Sequence, residues 1–119
     1  MPMSREWPTA ESKELFIKYL ELESRLAEKA ARGETDPELL RELNDLLSLS
    51  MPKTALFIER CYRGEMKGSA ADVEKIAWAE SRSTEDESGR ARVAGIWTTE
   101  EIERDIEDCR RLAKEQQGR

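Results

Sequence analysis

The sequence predicts an all-α protein: a small bundle of about five helices, opened by an antiparallel helical hairpin, with a flexible loop before the C-terminal helix. Three observations lead there. Apolar residues recur at helical spacing in five separate stretches. Each stretch is preceded by a Thr, Asp, Ser or Pro suited to a helix start. The composition, 38% hydrophobic and 39% charged, suits narrow apolar stripes on broad charged helices. A length of 119 residues favours one domain spanning 1–119.

Trp7-Pro8 precedes Thr9, an N-cap residue, and Trp7 is placed to fold over the first turn as a hydrophobic staple. The first helix runs from about Ala10 to about Arg32 and stops at Gly33. Leu15, Tyr19, Leu22 and Leu26 share one face, widened by Phe16, Leu20, Ala27 and Ala30 enough for two neighbours. Asp36-Pro37-Glu38 combines a cap, a first-position proline and an acid suited to the helix dipole. It opens a second helix to about Leu49, with Leu39, Leu40, Leu43, Leu46 and Leu47 on its apolar side. The short connection at 33–35 makes the pair an antiparallel hairpin.

Ser50-Met51-Pro52 restarts the chain as a third helix, with Ala55, Leu56, Ile58, Cys61 and Tyr62 on one face. Gly64 and Gly68 loosen its exit, and residues 63–68 are expected to form a turn or a frayed end. Ser69 caps a fourth helix, Asp72 completes a capping box, and Val73, Ile76, Ala77 and Trp78 face inward. Residues 82–92 hold one apolar residue, Ala91, and predict the flexible loop. Ile96 and Trp97 are expected to tuck against the bundle. Thr98, with Glu101 three residues on, starts the last helix.

The net charge of −6 disfavours unspecific binding to nucleic acid or anionic lipid. No apolar run matches a membrane span and no signal-peptide core is expected, so the expected location is cytoplasmic. Cys61 and Cys109 lie in helical apolar patterns and read as reduced core thiols. The chain has no histidine, which removes Ser-His-Asp and Cys-His catalysis and His-containing metal sites.

Three candidate sites remain. Ile102, Ile106, Cys109 and Leu112 form a thin apolar seam on an otherwise charged last helix, the pattern of a helix-pairing interface. It predicts a homodimer built on that seam. Lys53, Arg60, Arg63 and Lys67 make the one locally positive region, around a Gly-containing turn that could imitate a helix-turn-helix. Acidic pairs, Glu11 with Glu14 and Glu42 with Asp45, sit one turn apart on neighbouring helices and could hold Mg²⁺. The segment Glu42-Leu43-Asn44-Asp45-Leu46-Leu47 resembles the E-L-G-D-hydrophobic segment of the all-α nucleotide pyrophosphohydrolases of the MazG type. The resemblance covers six residues and implies a Mg²⁺-dependent enzyme. The chain departs from the family where Glu23 is followed by Leu26 instead of a second acid. The acids of the last helix lack EF-hand spacing and read as a solvated face.

The sequence therefore predicts a non-catalytic helical protein-interaction module, an adaptor, inhibitor or accessory subunit, without cofactor and self-associating. A regulator binding nucleic acid through residues 53–67 is the alternative, and the Mg²⁺-dependent enzyme a remote one.

Overall fold

The computed structural model describes residues 7–85, 91–93 and 97–117. It is a small all-α bundle of α1 (Ala10–Ala31), α2 (Pro37–Ser50), α3 (Pro52–Tyr62), α4 (Ala70–Arg82) and α5 (Thr99–Gln117). A short antiparallel ribbon, β1 (Ser83–Glu85) with β2 (Ala91–Val93), leaves the end of α4. This ribbon occupies both ends of the segment read as a flexible loop; 86–90 and Ile96 lie outside the described residues.

Local chemistry sets nearly every helix end. Thr9 with Ser12, Ser69 with Asp72 and Thr98 with Glu101 form reciprocal capping boxes. Asp36 caps α2 ahead of Pro37. α1 and α3 both end in Schellman motifs, with Gly33 and Gly64 at positive φ. In the second of these, Gly64 N–H donates to the Cys61 carbonyl and Glu65 N–H to the Arg60 carbonyl. The exit of α3 is thus the turn of the two expected alternatives, with a defined stop in place of a frayed end. Gly68 packs so closely on Phe57 that an added Cβ would stand 2.7 Å from the ring.

α1 is the central helix and packs on α2, α4 and α5, while α3 lies outside it between α2 and α4. Phe16, Ile17, Tyr19 and Leu20 of α1 meet Leu47, Met51, Ala77, Trp78, Ile106, Cys109 and Ala113 in one core. Ile17, outside the expected stripe, is buried, whereas Ala27 and Ala30 are exposed. Trp7 does not staple the first turn. It reaches further along α1 to pack on Phe16, ring centroids 5.7 Å apart.

Candidate functional site

The structure places the C-terminal seam inside its own chain. Ile106 and Cys109 are 5% and 2% exposed, Ile102 packs on the same core, and only Leu112, at 36%, retains an accessible face. The homodimer interface read from this seam is therefore corrected. α5 packs chiefly on α1, which α2 and α4 leave uncovered on that side, so its stripe is consumed in the fold. Burying Ile106 there contributes roughly 1.5–3 kcal/mol by area. Both thiols are free; Cys109 is buried and Cys61 half-buried. Burial first, and the Asp105 charge second, push the Cys109 thiol up to about 12.

The acidic pairs do not converge. Glu42 is engaged by Lys18 at 3.4 Å, and among the described residues no three carboxylate or thiol groups assemble as a metal site. The six-residue resemblance to the MazG-type enzymes thus lacks the acidic cluster it implies. The four basic residues are exposed and lie along α3 and the loop after it. Lys53 and Arg60 share a face with Leu56 and Arg63, at i, i+3, i+7 and i+10. Seven residues separate α3 from α4, and Ser69, Ala70 and Ala71 lead the second helix, so no base-reading helix follows a tight turn.

What the structure does build beside these cations is an apolar groove of about 530 Å³ between α2 and α3. Met51 alone joins the two helices, so they diverge from one corner. Leu47, Ala55 and Ile58 supply the apolar surface, and Asn44, Ser48, Glu59, Tyr62 and Arg63 complete the walls. Tyr62 is 88% exposed at the rim, and Leu56, one turn from Arg60 on the outer side of α3, is 47% exposed. Arg63 is tied to Glu59 at 2.6 Å, whereas Arg41, Lys53 and Arg60 form no ion pair among the described residues. Leu49, 85% exposed, does not line the groove.

The sequence reading missed three polar clusters, all of which join distant helices. The Glu80 carboxylate of α4 accepts the Lys53 and Thr54 N–H groups and the Thr54 hydroxyl, at 2.8, 2.8 and 2.7 Å. It caps α3, whose own Met51 offers no side-chain acceptor. Arg82, buried at the end of α4, is ringed by Trp7, Trp97 and Trp78 with centroids at 4.0, 4.7 and 5.4 Å. Asp105 accepts from Arg82 at 2.8 Å and from the Trp78 indole at 2.6 Å. The protein's own cation fills this aromatic cage, so the cage is part of the fold.

The third cluster runs from α1 through α4 to α5. The buried Tyr19 hydroxyl bonds to Glu23, Glu23 bonds to Glu74, and Arg110 donates to Glu74 and Glu107. Burial raises the Glu23 carboxyl to about 7; the Tyr19 bond opposes this, and the charge of Glu74 and its bond reinforce it. Burial and then Glu23 push the Tyr19 phenol up as well. Every member is satisfied from within the bundle, which marks the cluster as internal support.

Among the described residues no helix is long and apolar enough to cross a membrane. Comparison with protein-family models, with curated proteins and with solved structures returns no match to this chain.

Proposed function

We propose that this protein is a non-catalytic helical interaction module that receives a helical segment of another protein in the α2–α3 groove. One observation carries the reading. α3 buries a single residue, Thr54, yet presents Ala55, Ile58 and Tyr62 along a groove that the described residues leave open. The other described helices direct their main apolar stripes into the core. An open cleft between two helices is the geometry in which an amphipathic helix docks by its apolar face. Adaptor, inhibitor and accessory-subunit roles all rest on such docking. The two free thiols favour a cytoplasmic setting.

The test is selection of binders from a displayed library of helical peptides, with each binder mapped by backbone amide shifts. Supporting binders perturb Asn44, Ser48, Ala55 and Tyr62, and lose affinity for the Ala55→Glu/Tyr62→Ser double variant. Binders that map to α1 or α5 and ignore that variant would refute the groove as the docking surface.

A further inference from the structure

The α2–α3 groove has a neighbour on the same side of α2. At the tip of the hairpin, Leu26 and Ala30 of α1 line a second hollow, of about 350 Å³, with Pro37 and Leu40 of α2. Pro37, Leu40, Asn44, Leu47 and Ser48 recur at i, i+3, i+7, i+10 and i+11. Both hollows therefore open along one stripe of α2, about 16 Å long, on which Leu40 is half-exposed. The charged residues lining them are Lys29, Glu34, Asp36, Glu59 and Arg63, and each is matched from within the chain. Lys29 pairs with Asp36, Arg63 with Glu59 and Glu34 with Arg32. The other polar walls are neutral. The side chains of Asn44, Ser48 and Tyr62 form no hydrogen bond among the described residues.

Resting on the docking reading above, we infer that the partner is a helix of another protein that lies along α2 across both hollows and presents an uncharged face. Its aliphatic residues cover Leu40, Leu47 and Ile58, and Asn, Gln, Ser or Thr side chains meet Asn44, Ser48 and Tyr62. Its charges stay on the side turned to solvent. A carboxylate or ammonium on this surface would lose water and find only charges that are already neutralised. An amide or hydroxyl loses less and finds unused donors and acceptors. The cores of protein interfaces are depleted of charge on the same grounds. The length of the stripe is three helical turns, room for four anchors at i, i+3 or i+4, i+7 and i+11. A second copy is a poor source of such a face. The outward sides of α1, α2 and α5 carry Glu, Asp, Lys or Arg at nearly every turn. Nucleic acid is disfavoured because both cations lining the hollows are paired with carboxylates.

Three designed helical peptides of equal length test this. They share one Leu stripe and one charge-balanced outer face, and the positions beside the stripe are Gln, Glu or Lys. Fluorescence anisotropy reads each affinity for the full chain at low and at high salt. The Gln peptide is expected to bind about tenfold tighter than either charged one, with less than about a twofold change between the two salts. Leu40→Ser, at a half-exposed position, should weaken the Gln peptide about tenfold while the helical circular dichroism signal is kept. Tighter binding of the Glu or Lys peptide, or equal binding of all three, overturns the uncharged face. Docking itself then stands only if Ala55→Glu/Tyr62→Ser abolishes that binding, and otherwise falls with it. Unchanged affinity in Leu40→Ser overturns the extension across the second hollow. If no peptide binds, both readings fall. A dimer in sedimentation that Leu40→Ser dissociates overturns the partner helix and assigns the surface to a second copy.

Discussion

Arg82 is the one charged side chain among the described residues that is buried, and its surroundings are built to hold it. Removing the guanidinium would leave Asp105, 20% exposed, without its counter-charge and with the Trp78 indole as donor. Arg82→Ala is therefore expected to cost about 3 kcal/mol, measured by urea denaturation. Glu23 makes the opposite demand. Its pKa rises from 4.5 to about 7 on folding, so the folded state binds the extra proton. Stability from this site is present in full below pH 4.5 and is lost as pH rises through about 7. Glu23→Gln keeps the hydrogen-bonding shape without the ionisation. Wild type should lose thermal stability relative to this variant between pH 5 and pH 8, measured by differential scanning fluorimetry. A constant difference across that range would contradict the assignment.

At the scale of elements, α3 is held from outside. Without Glu80 its first two amides have no acceptor, because Pro52 and Met51 offer none. Glu80→Ala should cost about 0.5–2 kcal/mol, as cap removal does. It should also speed hydrogen exchange at Lys53 and Thr54 more than at the Ser69-capped start of α4. α5 gives the complementary case. Ile106→Glu places a charge in the core and is expected to unfold the chain, not release a folded monomer; sedimentation with circular dichroism separates the two. These two helices show where sequence reasoning stops. Capping boxes and Schellman glycines were legible because donor and acceptor lie within a few residues. The Glu80 cap was not, since 26–27 residues separate it from its donors. The seam of α5 was read correctly as apolar, but periodicity does not say whose surface covers a stripe.

At the scale of the whole molecule, the cations around α3 were visible as a cluster, and the groove beside them was not. It arises from the single-residue joint at Met51 and from the exclusion of α3 from the central contacts of α1, both products of packing. With its C-terminal seam closed, the chain is expected to sediment as a monomer at tens of micromolar, and a dimer would require another surface. The tryptophan cluster carries a practical consequence. The chain has three tryptophans, and all three stand around Arg82, with Trp78 and Trp97 edge-to-face at 5.1 Å. Tryptophan emission, excited selectively over tyrosine, therefore reports from one place, the junction of the N-terminal lead-in, α4 and the start of α5. No residue lining the α2–α3 groove belongs to that junction. The molecule thus carries a built-in optical probe that should fade when the bundle opens and stay almost silent when a partner helix docks.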